Sequence, residues 1–525
     1  MGIYSRYIQD ERRRAYIPVS RVMLAEKTEH AEKLPGNTLV QARFNNPDLI
    51  ILNPGGCLLL DFGFEFHGGI RIVSAGKSGA VDLTFGESVS EAAGVPDQDH
   101  AIHKTELQVP KMGMLEYGNT AFRFVRISNC GSEVLELHNV IGVSLHRELE
   151  EKGSFTSSDE RLNKIWETAR HTLHLNMQDY IYDGPKRDRL VWMGDLHPEI
   201  RGILNAYGAV DLIPASLDFV ADDTPGVTPM NTIPSYNCWF VINVWEYYRF
   251  TGEVSYVQKH ADYLENLLKH YAGFVGADGV EKMPEMRFLD WPTLSDPVAL
   301  HAGLQGLLCW MMQCGADLLA AVGRENAFAL EAAGKLKTHV PDCGSRKAAA
   351  ALLTLTGIAD RRDVLLKDPL TDVSTFYGFY VLLAQPTEPA LHLIRNYWGA
   401  MLDRGATTFW EDFDMAWLEN SGRIDEFTPP GKKDLHADYG NYCYKGLRHS
   451  LAHGWASGPL SFLSERISGV KILEPGGKKI AVTPELGDLE YARVEVPTCW
   501  GNVCVEQEKG KQPEITVPAE ITVIQ

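Results

Sequence analysis

The fold is decided by the stretch Tyr182-Asp183-Gly184-Pro185-Lys186-Arg187-Asp188-Arg189-Leu190-Val191-Trp192-Met193-Gly194-Asp195. Three carboxylates, three cations and a tryptophan lie within these fourteen residues, with glycine and proline near the start. A core segment could not carry so many charges, and a solvated surface helix would not combine them with Trp and Gly-Asp. The mixture predicts a polar cleft of the size of a sugar. There carboxyl groups transfer protons, cations hold them, and an aromatic ring stacks on a pyranose face.

The stretch resembles the signature of α-L-rhamnosidases of the six-hairpin glycosidase type, Asp-x-x-x-Arg-Asp-Glu-Arg-x-x-Trp-x-Gly-Asp, in which the Glu is the general acid. This chain is one residue shorter inside the pattern and lacks that Glu. Registered from its C-terminal end, the pattern places Asp188 at the acid position. Asp195 and Glu199 stay open as alternative acids, and simple ion pairing within the loop is the structural alternative for any single Asp.

Three further segments match the family. Thr407-Thr408-Phe409-Trp410-Glu411 continues a Gly-Ala pair and resembles the segment that supplies the general base, which implies that role for Glu411. The family resemblance also implies sugar contacts from Asp290, Trp291 and His453, and His453 could equally be a structural histidine at a helix start. The predicted terminal-sugar pocket contains the residues Asp183, Arg187, Trp192, Asp195, Asp290, Trp291, Trp410 and His453.

The chain reads as three regions. Alternating apolar residues such as Leu58, Leu60 and Phe62 predict an antiparallel β-sandwich over residues 1–152. The spacing Ser157-x-x-Glu160 predicts a capping box that begins the helical region. Helical periodicity, without interleaved strands, continues over residues 153–466, and alternation returns over residues 467–525. Together with the resemblance, this predicts a multidomain α and β protein: an (α/α)6 barrel between an N-terminal jelly roll and a small C-terminal β-domain.

Composition limits the function classes. The chain has 525 residues, 45% of them hydrophobic, and a net charge of −19, which disfavours nucleic acid as a partner because phosphate contacts need clustered cations. An odd number of cysteines, nine, argues against a disulfide framework, and their spacing gives no zinc site. No apolar run is long enough to span a membrane. We therefore expect a cytoplasmic protein without a metal or cofactor, acting on a small carbohydrate, with homo-oligomerisation left open.

The sequence thus predicts a glycosidase that removes terminal α-linked L-rhamnose by inversion. Asp188 would protonate the leaving oxygen, and Glu411 would activate a water. Because the family's Glu is missing, a different terminal sugar is the first alternative. A carbohydrate-binding protein that has lost its acid is the second.

Overall fold

A computed structural model describes residues 8–45, 48–94 and 103–524. Its first part is rich in β-structure, with one short helix, α1, and one 3₁₀ turn. The elements are β1 (Arg12–Pro18), β2 (Arg21–Glu29), a 3₁₀ turn (Ala31–Lys33), β3 (Ile50–Ser74), β4 (Gly79–Gly86), α1 (Val89–Ala93), β5 (Lys104–Val109), β6 (Gly113–Asn129) and β7 (Leu135–Arg147).

Within the described residues these strands form one seven-stranded sheet, in the order β1-β7-β3-β6-β4-β5, with β2 also paired to β3. The predicted alternation is confirmed in β3, where Leu58, Leu60 and Phe62 are buried in one apolar core. Leu59, between them, faces the other side and packs with Phe124 and α1. Both faces of β3 are therefore covered, which holds the sheet close to the helical part.

The middle part is helical, as predicted. Its α-helices are α2 (Glu160–Asn176), α3 (Leu196–Ala206), α4 (Leu212–Asp223), α5 (Pro234–Thr251), α6 (Val254–Lys259), α7 (Ala261–Ala272), α8 (Pro297–Ala321), α9 (Ala327–Leu336), α10 (Lys347–Leu355), α11 (Arg362–Leu366), α12 (Gly378–Ala384), α13 (Thr387–Leu393), α14 (Gly399–Asp403) and α15 (Gly458–Phe462). Short 3₁₀ turns occupy Met230–Thr232, Pro292–Ser295, Met415–Leu418, Gly446–Arg448 and Gly454–Ser457, and π-helical turns occupy Ile394–Trp398 and Leu463–Ile467.

The start of α2 differs in detail from the prediction. Asp159, not Ser157, caps the helix: its carboxylate accepts hydrogen bonds from the backbone N–H groups of Arg161 and Leu162. Asp is as good an N-cap as Ser, and the side chain nearest to the first free N–H groups satisfies them. The Ser157 backbone N–H is bonded instead to the Asn163 side chain.

Six helices follow one another in space in a closed ring. Helix α3 contacts α5, α5 contacts α8, α8 contacts α10, α10 contacts α12, α12 contacts α15, and α15 returns to α3. The middle of the ring is filled by side-chain rings from four of its helices: His197, Trp239, Trp310 and Tyr380 have mutual centroid distances of 5.0–6.0 Å. The predicted site residues lie in the segments that lead into three of these helices, from α2 to α3, from α7 to α8 and from α14 to α15. Across the described residues, no helix has both the length and the apolar composition to cross a bilayer.

The last part returns to strands, as predicted. These are β9 (Val470–Ile472), β10 (Lys479–Val482), β11 (Tyr491–Thr498), β12 (Gly501–Glu508), β13 (Glu514–Thr516) and β14 (Thr522–Ile524). Strand β8 (Ser154–Ser157), just before α2, pairs with β11 in the four-stranded sheet β13-β12-β11-β8. The chain entering the helical part is thus hydrogen-bonded to the chain leaving it.

Candidate active site

The loop between Asp183 and Leu190 is closed by its own ends. The Asp183 N–H donates to the Leu190 carbonyl at 3.1 Å, and the Leu190 N–H donates to Asp183 Oδ1 at 3.0 Å. Between them Asp188 and Arg189 both have positive φ, 57° and 53°. Consecutive non-glycine residues in this region are strained, and such strain is typical of functional sites. The Arg189 N–H donates back to the Arg187 carbonyl at 2.8 Å, so Asp188 stands at the tip of a tight turn.

Arg187 joins the two predicted catalytic carboxylates. Its Nη1 lies 3.1 Å from Asp188 Oδ2, and its Nη2 donates to Glu411 Oε1. Asp188 is the more accessible of the two, because its side chain is 25% exposed, whereas that of Glu411 is 3% exposed. The structure therefore brings Asp188 and Glu411 to the same guanidinium although they lie far apart in sequence.

Glu411 is held firmly from several elements. Its Oε2 accepts a hydrogen bond from the Ser450 N–H at 3.1 Å, and its carbonyl accepts from Thr375 and from the Trp455 indole. Burial raises the pKa of the Glu411 carboxyl, while the Arg187 cation and the Ser450 N–H lower it. The result is a carboxylate fixed in place and kept partly basic, as activation of a water requires.

Behind this pair lies a buried acidic cluster of Asp183, Asp195 and Glu199. His453 Nε2 lies 3.1 Å from Asp195 Oδ1, and His453 Nδ1 lies 4.0 Å from Glu411 Oε1. Desolvation, reinforced by the neighbouring carboxylates, raises the pKa of all three acids well above their ordinary values. Burial likewise lowers the pKa of His453 well below its ordinary value, which favours the neutral ring.

Glu199 is the deepest of these acids. It is fully buried on α3, and neither carboxyl oxygen has a hydrogen-bond partner among the described residues. A Cβ at Gly454 would lie only 1.6 Å from Glu199 Oε1, so glycine is needed there. A group enclosed in this way cannot reach a glycosidic oxygen, which makes Glu199 a poor general acid.

Asp290 and Trp291 lie in the same cleft as Glu411, whose other lining residues include Tyr444 and Trp455. The Asp290 carboxylate accepts hydrogen bonds from the Thr293 hydroxyl at 2.6 Å and from the Ser374 hydroxyl at 3.3 Å. Desolvation raises its pKa. Trp291 is half-buried and stands between aromatic neighbours, so one face of the cleft is aromatic, as a sugar pocket needs.

Two predicted tryptophans lie differently. Trp192 is half-buried and contacts Tyr236 edge to face at 6.2 Å. Trp410 is 1% exposed, packs against Phe413 in the core and does not line the cleft. That position does not fit the stacking contact predicted for Trp410, because core packing against Phe413 leaves almost none of the ring exposed. Tyr444 and Trp455 also line the cleft, and neither was among the predicted pocket residues.

The Lys186 ammonium lies among buried carboxylate and carbonyl oxygens beside this site, where a cation is best accommodated. This ammonium, 1% exposed, lies 2.9 Å from Glu87 Oε2 and 3.2 Å from Glu91 Oε1, and it donates to the carbonyls of Leu447 and His449. With His436, these two glutamates form one of the two groups in the described residues with metal-ligand spacing; the other is Asp82, Glu106 and Cys130. The Lys186 ammonium already supplies the positive charge for the group of Glu87, Glu91 and His436. Lys186 also fastens the loop between Asp183 and Leu190 to the β-rich part of the molecule.

Comparison with known proteins shows similarity to α-L-rhamnosidases. The model of the bacterial α-L-rhamnosidase six-hairpin glycosidase domain matches residues 150–302. An α-L-rhamnosidase of Alteromonas sp. (strain LOR) is 26% identical, over 89% of this chain and 55% of its own length. The crystal structure of a GH78 family rhamnosidase of Bacillus sp. GL1 superposes with a TM-score of 0.73 at 22% identity, covering 92% of this chain and 54% of that one.

A rhamnosidase from Klebsiella oxytoca, solved with rhamnose bound, superposes with a TM-score of 0.68 at 22% identity, and the match covers 86% of this chain and 96% of that one. The chain thus has the fold of these solved rhamnosidases. It is an α-L-rhamnosidase-like protein, as the motif resemblance predicted. It spans about half the length of the curated relative it matches.

Proposed function

We propose that this protein is an inverting glycoside hydrolase that removes terminal α-linked L-rhamnose. One observation carries the proposal: Asp188 and Glu411, the residues at the acid and base positions of the motifs, share the guanidinium of Arg187. Glycoside hydrolysis by inversion needs two carboxyl groups that face one scissile bond from opposite sides. The similarity to the Alteromonas and Klebsiella rhamnosidases supports L-rhamnose as the sugar.

In this proposal the helical ring is the inner layer of an (α/α)6 barrel, residues 153–466. It is preceded by a jelly roll, residues 1–152, and followed by a small β-domain, residues 467–525. The closed sequence of contacts from α3 to α15 supports the barrel. Strand β8 pairs with β11, so one strand of this C-terminal sheet comes from the chain at residue 154. The helical region and the C-terminal region are therefore joined by a strand pairing across their boundary.

Asp188 acts as the general acid in this scheme, since it is the carboxyl group with solvent access at the tip of the loop. Glu411 holds the attacking water. Asp195 and His453 orient the sugar from the buried side of the site. Asp183 is a positioning residue, because its carboxylate closes the loop. Side chains fill most of the cleft beside Glu411, so some of them have to move as the sugar enters. Side-chain rearrangements of this kind are common on binding.

A panel of nitrophenyl glycosides tests the proposal. We expect turnover of the α-L-rhamnoside above all other sugars, with proton NMR showing β-L-rhamnose as the first product. Release of the retained anomer would contradict the inverting mechanism. Turnover of a different glycoside would show that the enzyme acts on that sugar instead. Binding without turnover of any glycoside would instead identify a carbohydrate-binding protein, the alternative favoured by the missing Glu.

A further inference from the structure

Glu87 lies outside the helical part, yet its carboxylate contacts both sides of the candidate active site. It directly follows β4 and is 1% exposed. Its Oε2 lies 2.9 Å from the ammonium of Lys186, in the loop that carries Asp188, and accepts a hydrogen bond from the Leu451 N–H at 2.7 Å. The Ser450 hydroxyl donates to Oε1 at 3.4 Å. One carboxylate of the β-rich part therefore binds the acid loop and a second catalytic segment at the same time.

This second segment fixes the candidate base. The Ser450 N–H donates to Glu411 Oε2 at 3.1 Å, and the Glu411 N–H donates to the Ser450 carbonyl at 3.0 Å. The Ser450 carbonyl and the Leu451 N–H belong to one planar peptide group. A continuous line of hydrogen bonds therefore runs from the Glu87 carboxylate through this peptide to Glu411. If the Glu87 carboxylate shifts, the peptide that holds Glu411 shifts with it.

Lys186 carries the same constraint to the acid side. It directly precedes Arg187, whose Nη1 lies 3.1 Å from Asp188 Oδ2 and whose Nη2 donates to Glu411 Oε1. The Lys186 ammonium and the Glu87 carboxylate are both almost fully enclosed, so the charge of each needs a partner that stays in place. The positions of Asp188 and Glu411 thus depend on one anchor in the β-rich part.

We propose that Glu87 is a positioning residue for hydrolysis, whose carboxylate sets where the carboxyl groups of Asp188 and Glu411 stand relative to each other. The inference rests on the proposed glycosidase function for the roles of these two residues. An inverting pair must leave room for a water between acid and base. A displacement of about 1 Å caused by a change far from the chemistry can slow a reaction by about 10²-fold. Glu87 acts through its contacts, because its side chain has no exposed surface.

Two substitutions separate the geometry of Glu87 from its charge. Glu87→Asp keeps the charge but withdraws the carboxylate from Leu451 by one methylene. Glu87→Gln loses the charge but keeps an oxygen at the length needed to accept the Leu451 N–H. We expect Glu87→Asp to lower kcat on nitrophenyl α-L-rhamnoside by about ten- to a hundredfold, with a smaller change in KM. Glu87→Gln should lower kcat less than Glu87→Asp does.

The pKa of Glu411 is a readout that a general loss of stability does not move. The Ser450 N–H lowers this pKa, so Glu87→Asp should raise it by weakening that hydrogen bond. Glu87→Gln removes a negative charge and should leave the Glu411 pKa below that in Glu87→Asp. NMR titration of ¹³C-labelled glutamate carboxyl groups measures it, with the signal identified by its loss in Glu411→Gln. The charged or titratable groups that face Glu411 and are the same in all these variants are Arg187, Asp188, Asp195, Asp412, Cys443, Tyr444 and His453.

Glu246→Asp is the control, because Glu246 is similarly buried and is paired with Arg249 on its own helix, α5. It should leave both kcat and the Glu411 pKa as in the wild type. Wild-type values of both in Glu87→Asp, or a larger loss in Glu87→Gln than in Glu87→Asp, would overturn the positioning role. If the wild type cleaves no rhamnoside, the proposed function fails, and the titration alone decides whether Glu87 positions Glu411. A Glu411 pKa that rises in Glu87→Asp would support that role, and an unchanged one would refute it.

Discussion

Lys186 Nζ lies 2.9 Å from Glu87 Oε2, and this buried ion pair joins the candidate acid loop to the β-rich part of the chain. The residue after Lys186 is Arg187, which holds Glu411, so the sheet, the loop and the base position are linked through two successive cations. Glu65, on β3, extends the link: Glu87 is its neighbour, and its Oε2 accepts a hydrogen bond from Thr408, three residues before Glu411. The β-rich part thus supports the geometry of the helical site.

Replacing Lys186 should destabilise the whole molecule. Lys186→Met leaves Glu87 and Glu91 buried without their cation, and breaking a buried pair in this way costs about 3–5 kcal/mol of unfolding free energy. Chemical denaturation measures the loss. Lys77→Met removes an exposed pair with Glu133 and should leave the unfolding free energy nearly unchanged. A Lys186→Met protein as stable as the wild type would show that the pair does not hold the loop.

Asp188→Asn tests the general acid. We expect hydrolysis of rhamnosides with poor leaving groups to slow by about 10²–10⁴-fold, the usual contribution of general acid catalysis. An activated aryl rhamnoside should lose much less, because its leaving group needs little protonation. Asp195→Asn is the comparison: it lies beside His453 and should impair both substrates alike. If Asp195→Asn instead shows the dependence on leaving group, the acid lies there and not at Asp188.

These carboxylates also show what the sequence could and could not predict. The alternation in β3 was sufficient to foresee the strands, and the family resemblance of the two motifs implied that Asp188 and Glu411 would meet. The sequence shows that one residue of the motif is missing, but it does not show how the backbone of the shorter loop closes. The shorter loop is closed by two successive positive φ angles at Asp188 and Arg189, a conformation that is uncommon for non-glycine residues. Backbone strain imposed by tertiary contacts leaves no signal in a single sequence.

The same limit explains two side chains. Trp410 was predicted to stack on a sugar because its motif contains it, yet tertiary packing places the ring in the core beside Phe413. Lys186 was read as one of several cations pinning a loop, while its actual partners, Glu87 and Glu91, lie about a hundred residues earlier in the sequence. Such long-range pairs follow from the fold and not from local pattern.

The acid limb of the pH profile should respond to Arg187. Glu411 must be ionised to activate water, so kcat/KM falls as the pH falls through the Glu411 pKa, which burial raises above its ordinary 4.5. Arg187 lowers that pKa. Arg187→Met should therefore raise it further and move the acid limb to higher pH. Arg189→Met is the matched control, because Arg189 donates to the Asn119 carbonyl and not to Glu411. An acid limb that stays in place in Arg187→Met would exclude Glu411 as the base.

The last prediction concerns Glu199, whose carboxyl group is buried without a hydrogen-bond partner among the described residues. Desolvation and the neighbouring Asp195 and Asp183 raise its pKa in the folded protein well above 4.5. The folded state therefore binds a proton that the unfolded state releases, and stability falls as the pH rises from 4.5 towards the folded pKa.

Glu199→Gln removes this one contribution, which amounts to at most about 1.4 kcal/mol per pH unit. Urea unfolding of both proteins from pH 5 to 8 should show the variant gaining on the wild type as the pH rises. Glu490→Gln, at an exposed pair with Lys509, should follow the wild type throughout. If Glu199→Gln loses stability relative to the wild type as the pH rises, Glu199 is ionised in the fold, and burial does not raise its pKa as proposed.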